Sequence, residues 1–573
     1  MTLDAARQYL ASPHLEPELR ADLEVLLRAA EGGDAQALEE LGDRFSEPLA
    51  FGTGGLRGIM AAGLRRMNKP NIRRTTLALA KVARRRAPRR SVALVGFDTR
   101  IHSAAFAREA ARVLASQGYT VFLGNRPLPT PFLCFAMRRL RAACGVIITA
   151  SHNPKAYNGY KAYDDRGAQV IAPWDAEIES AMNAEDLVPA APSPDADGFI
   201  VPIPAEIEEA YLRMGLALLA HPAPFEKPRL LFTPFHGTGS AFVPELFHRA
   251  DLPLEICEAQ SIPDGTFPTA PRPNPEEIEA YAAPLADADR LGCDAILAND
   301  PDADRIGVVA KRMGTEWELM SGNDLAALTL DYLCRFRQVK GVCVSTVVTS
   351  DFLAEVARQH GLSVMWTLTG FKNIAACMDR LEEVGETYAF GAEESFGMLL
   401  SPELRDKDGV TAALVVGEMI GHYQALSLGP FEAVDALQAR LGTFHNRLVN
   451  LEDPRPGGAA RFAEAMTRIR QAGLESLGGD RVVSWEDFLA GEWHGALSEG
   501  GDHVEPILDR PDRRNVAQPI PRSNVLKFRL ESGAFAAFRP SGTEPKLKVY
   551  LQSRTDAALL DALEAQARTL LGL

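Results

Sequence analysis

Three aspartates in one short loop are the residues of this sequence best suited to do chemistry. Asp300, Asp302 and Asp304 alternate with Pro and Ala directly after the apolar run 295–298. Because three carboxylates this close cannot all ionise without a cation, they predict a hard divalent metal bound through oxygen. Three ligands leave coordination positions open, which suits a Mg²⁺ that also binds a phosphate oxygen. A solvated acidic turn is the alternative interpretation.

A second polar loop, Thr149-Ala-Ser-His-Asn-Pro154, follows the apolar run 145–148. Ser151 lies there at the point where a predicted strand ends, so its hydroxyl can be presented to a ligand. His152 and Lys161 bring positive charge or proton-transfer capacity nearby. A polar turn with a capping serine is the alternative.

A third loop, Gly391-Ala-Glu-Glu-Ser-Phe-Gly397, is preceded at a distance by Thr369-Gly-Phe-Lys372. Paired carboxylates beside a hydroxyl, at the end of a strand, are suited to hydrogen-bond the vicinal hydroxyls of a sugar. An N-terminal helix cap explains Glu394 and Ser395 about as well.

Two further segments offer binding groups for anions. Arg539-Pro-Ser-Gly-Thr-Glu-Pro-Lys546 combines a guanidinium, two hydroxyls, a glycine and a lysine, which indicates a phosphate-binding loop. Phe51-Gly-Thr-Gly-Gly-Leu-Arg-Gly58 is interpreted as a flexible backbone turn that delivers Arg57 to an anion. A plain glycine turn is the alternative for the second segment.

Strand-length apolar runs alternate with amphipathic helical stretches through most of the chain, and this predicts α/β domains with mainly parallel sheets. In such sheets ligands bind at the carboxyl ends of the strands, so the loops that leave these runs are where a site is expected. The clearest runs are at 92–97, 145–149, 229–233, 294–298 and 341–345.

Composition and period divide the chain into four predicted domains. Pro- and Ala-rich segments at 188–197 and 221–228 offer little apolar surface, which indicates linkers or surface loops. The first domain begins with a helical preface over 3–41, and the last ends in a strand and a helix that favour an α+β class. The predicted domains are 1–200, 201–320, 321–440 and 441–573.

Charge and composition exclude several classes of protein. Of 573 residues, 46% are hydrophobic and 24% charged, which is typical of an ordinary globular protein. The formal net charge of −15 gives no electrostatic support to nucleic-acid binding. Since no stretch reaches about 18 uncharged apolar residues, no membrane partner is expected. Seven scattered cysteines without a C-x-x-C pair favour a reducing cytoplasm.

Taken in order, these motifs resemble those of the α-D-phosphohexomutase superfamily, over roughly residues 50–551. Length and three motifs make the chain most similar to the long phosphoglucomutase/phosphopentomutase branch. The resemblance implies four domains around a central cleft, three of them similar α/β domains and the last α+β. The three motifs are Phe51-Gly-Thr-Gly-Gly-Leu-Arg-Gly58, Thr369-Gly-Phe-Lys372 and Asp406-Lys-Asp-Gly-Val410.

The resemblance also implies a role for each loop. Ser151 would carry a phosphoryl group and would bind one Mg²⁺ per chain together with Asp300, Asp302 and Asp304. The third loop departs from the usual Gly-Glu of the family, so Glu394 stays a rival to Glu393. The other implied residues are His152 and Lys161 for acid/base transfer, Arg57 and Arg305 for charge stabilisation, Thr369, Gly370, Phe371, Lys372, Glu393 and Ser395 for the sugar, and Arg539, Ser541, Gly542, Thr543 and Lys546 for the phosphate that is not transferred.

The implied reaction interconverts the 1-phosphate and 6-phosphate of a hexose, with glucose favoured. It proceeds through a phosphoserine and a sugar bisphosphate, which also serves as activator. A phosphopentomutase acting on ribose or deoxyribose phosphates and a phosphomannomutase are alternatives within the family. A metal-dependent sugar phosphatase is the alternative from another class. The expected partner is a small phosphosugar, without nucleic acid or membrane, and the sequence indicates no oligomeric state.

Overall fold

The computed structural model divides the chain into two compact units, Met1–Met320 with Gly397–Ser427 and Ser321–Phe396 with Leu428–Leu573. The residues that it describes are 2–52, 54–312, 315–455, 457–496, 502–506, 522–541 and 546–572.

The predicted helical preface consists of three helices. Asp34 caps the third of them, since its Oδ1 accepts the backbone N–H groups of Gln36 and Ala37 at 2.9 and 3.2 Å. The buried guanidinium of Arg73 binds Glu16 of the preface and, at 2.5 Å, Glu109 of the first sheet domain. The helices are α1 Thr2–Leu10, α2 Pro17–Glu31 and α3 Ala35–Phe45.

The first sheet has six strands in the order β1-β5-β4-β2-β3-β6. β4, β2, β3 and β6 are parallel to one another, whereas β5 is antiparallel to β4 and β1 is antiparallel to β5. The strands are β1 Gly55–Ile59, β2 Val92–Phe97, β3 Thr120–Leu123, β4 Cys144–Ile148, β5 Tyr157–Tyr163 and β6 Ile200–Pro202. The helices are α4 Lys69–Arg86, α5 Ser103–Ser116, α6 Thr130–Arg139, α7 Trp174–Asn183 and α8 Ala205–Leu216, with a 3-10 helix at Pro194–Phe199.

The second sheet has five strands in the order β11-β10-β9-β7-β8. β7, β8 and β9 are parallel, and β10 returns antiparallel to β9. The strands are β7 Leu230–Thr233, β8 Leu254–Ile256, β9 Ala295–Ala298, β10 Gly307–Arg312 and β11 Glu316–Leu319. The helices are α9 Val243–Arg249, α10 Glu258–Ser261 and α11 Ala282–Leu291, with 3-10 helices at Thr238–Ala241 and Ile278–Tyr281.

The third sheet contains the parallel strands β13-β12-β14 and belongs to the second unit. The following β15 and α15 belong to the first unit, where Asp408 caps α15 by accepting the N–H groups of Val410 and Thr411. The strands are β12 Val342–Thr346, β13 Ser363–Thr367, β14 Tyr388–Ala392 and β15 Met398–Leu399. The helices are α12 Gly322–Phe336, α13 Asp351–Gln359, α14 Phe371–Val384 and α15 Gly409–Ala425.

The C-terminal part is an antiparallel sheet of order β16-β23-β22-β21-β18-β19-β20 with β17 beside β18. Phe528 and Phe538 of the sheet belong to the same buried hydrophobic core as Leu563 of the last helix. The strands are β16 His445–Glu452, β17 Ser476–Leu477, β18 Asp480–Asp487, β19 Glu492–Ala496, β20 Asp502–Pro506, β21 Leu526–Leu530, β22 Phe535–Pro540 and β23 Lys546–Ser553. The helices are α16 Pro430–Leu441, α17 Gly458–Ala472 and α18 Ala558–Leu571.

The predicted fold class is confirmed: three α/β sheets precede a sheet-rich α+β domain. All seven cysteines are buried free thiols. Among the helices of the described residues, none is long and apolar enough to cross a membrane.

Candidate active site

Ser151 lies where the chain leaves β4. Its buried Oγ donates to Asp300 Oδ2 at 2.7 Å and lies 3.1 Å from His152 Nδ1. The backbone at Ser151 is left-handed, with φ of +50°. For a non-glycine residue that conformation costs on the order of 1 kcal/mol or more, and it persists where surrounding contacts hold it. The loop therefore presents the serine hydroxyl directly to the predicted metal ligands.

The three aspartates form one buried cluster after β9. All are fully inaccessible, and one carboxylate oxygen of each lies within 4.8 Å of the others. The N–H groups of Asp304 and Arg305 donate to Asp300 Oδ1 at 3.2 and 3.1 Å. Oδ1 of Asp302 and Oδ1 of Asp304 have no hydrogen-bond partner among the described residues. Buried carboxylate oxygens without donors fit a divalent cation, so the residues present suit the predicted Mg²⁺.

Backbone contacts from two directions fix this metal loop. Thr238 donates its N–H to Pro301 O at 2.8 Å, and Thr130 donates its N–H to Asp302 O at 2.9 Å. The Thr130 hydroxyl also donates to Asp302 Oδ2 at 3.0 Å. A Cβ on Gly237 would lie 2.4 Å from Pro301 Cα, so only glycine fits beside the loop. The carboxylates are thus held in place by the first two sheets of the first unit.

Two lysines face the acidic cluster. Lys161 Nζ lies 2.8 Å from Asp302 Oδ2 and 3.2 Å from Asp304 Oδ2, and Lys407 Nζ lies 2.8 Å from Asp304 Oδ2. Burial would lower the pKa of Lys161, but Asp302 and Asp304 hold it well above its ordinary value. Lys161 therefore stays protonated near neutral pH and supplies charge or a proton.

The aspartates respond to these lysines unequally. Burial would raise the pKa of Asp302, but Lys161 and Lys407 hold it below its ordinary value. Among the described residues no lysine contacts Asp300 in this way, and burial together with Asp304 and Asp302 raises its pKa well above the usual range. A cation at the cluster would reverse that shift, because positive charge favours the carboxylate.

His152 lies beside the Ser151 hydroxyl. Burial, then the positive charges of Arg305 and Arg57, hold its pKa well below the ordinary value, so the imidazole is neutral near pH 7. Arg57 donates to Asn153 Oδ1 at 2.9 Å, and Arg305 donates to Glu276 Oε1 at 2.7 Å. The two arginines thus lie close enough to His152 to act on it electrostatically.

The predicted turn around Arg57 is wrong from Gly55 onward. Residues Gly55–Ile59 form β1, and Arg57 pairs with Gly159 of β5. A Cβ on Gly55 would lie 1.9 Å from Tyr160 O, so the glycine permits close strand pairing rather than a turn. Arg57 is delivered from the edge of a sheet.

Glu393 and Glu394 follow β14 in the second unit. Glu393 is buried and accepts the Gly370 N–H at 2.6 Å, while Glu394 Oε2 accepts the Thr349 hydroxyl at 3.1 Å. Burial and the neighbouring Glu393 raise the pKa of Glu394 to about 7. The helix-cap interpretation of Glu394 and Ser395 is wrong, because the chain is not helical over 393–397.

The segment Thr369-Gly-Phe-Lys372 leads into α14. Gly370 has a φ of +109°, which favours glycine, and its N–H is the one bound by Glu393. Thr369 Oγ1 is buried and has no hydrogen-bond partner within the described part of the chain. Phe371 begins α14 with its side chain buried, and Lys372 is partly exposed. The hydrogen bond from Gly370 to Glu393 therefore joins this segment to the third loop.

Arg539 lies near the end of β22. Its Nη1 lies 3.5 Å from Tyr550 Oη. Burial would lower its pKa, but Tyr550, Glu394 and Glu393 together raise it. The guanidinium and the two glutamates are therefore close enough to interact within the second unit.

The remainder of the fourth loop is described only in part. Ser541 donates its N–H to Lys546 O at 2.8 Å, and Lys546 Nζ lies 3.3 Å from Glu452 Oε1. Gly542 and Thr543 lie outside the described residues.

Sequence reasoning missed three groups at the site. Lys407 contacts Asp304, and Arg100 and Asp98 lie beneath the Ser151 loop. Lys407 stands inside the motif Asp406-Lys-Asp-Gly-Val410, so its alternating charges were a usable signal. Asp98 and Arg100 follow an apolar run, as the other site loops do.

Four models of one family match the chain in order, which gives the class of protein that this fold and site define. The chain belongs to the phosphoglucomutase/phosphomannomutase family. The matches are to alpha/beta/alpha domain I at 48–188, domain II at 210–314, domain III at 321–430 and the C-terminal domain at 498–570.

Proteins similar to this chain indicate the type of reaction within this family. A phosphoglucomutase of Staphylococcus epidermidis is 30% identical over 530 residues, covering 91% of this chain and 93% of the relative. A phosphopentomutase of Pongo abelii is 32% identical over 565 residues, covering 91% and 87%. The open form of parafusin, a phosphoglucomutase from Paramecium, has the same fold, with a TM-score of 0.66 at 18% identity over 92% of this chain and 95% of that one. The chain is therefore a phosphosugar mutase, which is an isomerase.

Proposed function

We propose that this mutase interconverts the 1-phosphate and 6-phosphate of glucose through a phosphorylated Ser151. The 2.7 Å contact between Ser151 Oγ and Asp300 Oδ2 carries the proposal. It sets an esterifiable hydroxyl against three buried carboxylates, two of which keep an oxygen without a donor among the described residues. The similarity to phosphoglucomutases over nine-tenths of the chain supports the choice of glucose.

Asp300, Asp302 and Asp304 would hold one Mg²⁺ together with an oxygen of the phosphoserine. When bound, the cation neutralises charge on the oxygens of the transferring phosphoryl group. The positive charges of Lys161 and Lys407 offset part of the negative charge of the aspartates, which reduces the repulsion between this cluster and a phosphate. Arg57 and Arg305 add positive charge near the same serine.

In the first half-reaction the bond between phosphorus and Ser151 Oγ breaks while a bond to the sugar's free hydroxyl oxygen forms. The hydroxyl proton passes to a base, for which neutral His152 is suited. Lys161, held protonated, stabilises the serine oxygen as it leaves and can return a proton to it. The second half-reaction reverses these steps with the other phosphate of the sugar bisphosphate, which is also the activator that first phosphorylates Ser151.

A second cluster, in the second unit, is proposed to bind sugar and phosphate groups. Glu393, Glu394 and Ser395, with Thr369, Gly370, Phe371 and Lys372, are proposed to bind the sugar. Arg539, Ser541, Gly542, Thr543 and Lys546 are proposed to bind the phosphate that is not transferred. Arg539 supports this assignment because its partly buried side chain lies near Glu394 and Glu393, and a guanidinium is suited to bidentate phosphate binding.

Phosphopentomutase activity is the second candidate, since a phosphopentomutase is 32% identical over 91% of the chain. Phosphomannomutase activity is the further alternative within the family. A sugar phosphatase has no need of a second phosphate site and is the alternative from another class. Cytoplasmic location is proposed from the cysteine pattern alone.

The test treats purified protein with glucose 1,6-bisphosphate and Mg²⁺ and locates phosphate by mass spectrometry. We expect one phosphate on Ser151, and Ser151→Ala should lose both the label and turnover. Rates on glucose 1-phosphate, ribose 1-phosphate and mannose 1-phosphate then rank the sugars. Retained turnover in Ser151→Ala would overturn the phosphoserine mechanism, and free phosphate as the main product would indicate a phosphatase.

A further inference from the structure

Arg100 lies buried beneath the loop that carries Ser151. It follows β2, and its side chain is fully inaccessible. Its Nη1 donates to Pro154 O at 3.0 Å and to Tyr157 O at 3.1 Å. Its Nη2 donates to Ser151 O at 2.6 Å and to Asn153 O. One guanidinium thus binds four carbonyl oxygens within a seven-residue segment.

The orientation of this guanidinium is fixed from its other side. Arg100 Nε lies 3.3 Å from Asp98 Oδ2, and both side chains are fully buried. Asp98 Oδ1 in turn accepts the Ser103 hydroxyl at 2.7 Å and the Arg100 N–H at 2.9 Å. A buried charge pair held by further hydrogen bonds has little freedom to rotate. The carbonyl oxygens are therefore bound by a donor that cannot easily move.

The opposite side of Ser151 is held by Thr149. The buried Thr149 Oγ1 accepts the Ser151 N–H at 2.9 Å, while Arg100 binds the Ser151 carbonyl. Between these two contacts the serine backbone has a φ of +50°, a region that non-glycine residues rarely adopt. The conformation that points Oγ at Asp300 is therefore held from both peptide groups.

We propose that Arg100 is a positioning residue for phosphoryl transfer, which, together with Thr149, keeps Ser151 in the left-handed conformation that both half-reactions need. This inference rests on the proposed function of Ser151. Only a planar guanidinium offers donors in several fixed directions, whereas a lysine ammonium cannot reach the same carbonyls together. Without the four contacts the loop relaxes and Oγ leaves the line of transfer.

Arg100→Lys is the first test, with Arg112→Lys as the matched control. Arg112 lies on α5 of the same domain and pairs with Asp197 at its partly exposed surface. Because a displacement of about 1 Å at a reacting centre can cost about 100-fold in rate, we expect kcat of Arg100→Lys to fall by roughly 100-fold. KM for the sugar phosphate should stay within about threefold of the wild-type value, because Arg100 does not contribute to binding of the substrate in its ground state. Phosphorylation of Ser151 by glucose 1,6-bisphosphate should slow in parallel, and Arg112→Lys should match the wild type.

A loss confined to KM, or a kcat like that of the wild type in folded Arg100→Lys, would overturn the proposal. Should that variant not fold, Thr149 gives an independent test. Thr149→Val removes the acceptor of the Ser151 N–H and should lower kcat by at least about tenfold, the scale of one hydrogen bond to a reacting loop. Thr149→Ser restores the acceptor and should restore most of the rate. Equal rates in the two Thr149 variants would overturn the proposal.

Ser151→Ala, assayed in parallel, separates this inference from the proposed function. Retained turnover in Ser151→Ala means that the phosphoserine itself is wrong. Lost turnover in Ser151→Ala, together with normal kcat in Arg100→Lys and Thr149→Val, means that only the positioning role is wrong.

Discussion

The two charged clusters of this protein balance their charges in opposite ways. Around Ser151, carboxylates are opposed by Lys161 and Lys407, and the pKa of Asp302 is held low. After β14, Glu393 and Glu394 stand side by side, and the pKa of Glu394 is raised to about 7. The first cluster keeps most of its charge before any ligand arrives, whereas the second changes its protonation close to neutral pH. This difference supports the proposal that the first cluster binds ions and the second binds hydroxyl groups.

Among the substitutions that test this difference between the two clusters, Asp302→Asn is expected to have the largest effect on activity. This change removes a predicted metal ligand and one partner of Lys161, so we expect kcat/KM to fall by about 10³-fold, the scale of losing a group that stabilises transition-state charge. The measurement is kcat/KM against Mg²⁺ concentration. Asp197→Asn, which alters a partly exposed ion pair, is the control, and it should leave kcat/KM and its Mg²⁺ dependence unchanged. A normal Mg²⁺ dependence in Asp302→Asn would contradict the proposal that this acidic loop binds the metal.

A comparison of Glu393→Gln with Glu394→Gln tests which glutamate of the second cluster binds the sugar. Substitution of the glutamate that binds the sugar should lower kcat/KM by about 10- to 100-fold, which is the scale of losing a hydrogen bond to a charged group. Glu393→Gln should be the more harmful change, because Glu393 also binds the Gly370 N–H. Steady-state kinetics with glucose 1-phosphate decide the matter. A larger loss in Glu394→Gln would shift the sugar-binding role by one residue.

The smallest expected effect is a pH dependence of KM. Because its pKa is raised to about 7, Glu394 gains a proton as the pH falls through 7 and loses its negative charge as an acceptor. KM for the sugar phosphate should therefore rise several-fold from pH 8 to pH 6. Glu394→Gln should flatten this part of the profile, while the ionisation of the substrate phosphate affects both proteins equally. The same slope in both proteins would show that Glu394 does not titrate at the site.

Sequence reasoning singled out both loops that meet at the site because each carries a local signal, and the resemblance to the family implied that Ser151 and Asp300 lie together. Ser151 and Asp300 each stand directly after an apolar run, and loops at the carboxyl ends of strands gather where ligands bind. The class of the fold followed from the same alternation of strands and helices. The domain boundaries at 200, 320 and 440 stay predictions: the two compact units change after Met320, Phe396 and Ser427, so only the predicted boundary at 320 coincides with a change of unit.

The missed residues contact partners far away in the sequence, and the local patterns around them do not identify those partners. Lys407 is 103 residues beyond Asp304, and nothing near it in the sequence indicates which carboxylate it contacts. Arg100 binds carbonyl groups, which every residue has, so its partners leave no trace in the sequence. The turn predicted around Gly55 failed for a related reason: the glycine serves close pairing with Tyr160 of a strand about a hundred residues away.

Arg73 gives the helical preface a consequence beyond its own packing. Its guanidinium is out of water and shares its charge between Glu16 of the preface and Glu109 of α5. Loss of Glu16 would leave the buried Arg73 with Glu109 alone, at a cost below the roughly 3–5 kcal/mol of leaving a buried charge wholly uncompensated. Detaching the preface would therefore penalise the first domain as well, and the thermodynamic cooperativity of that domain extends to helices that lie outside the region matched by the family.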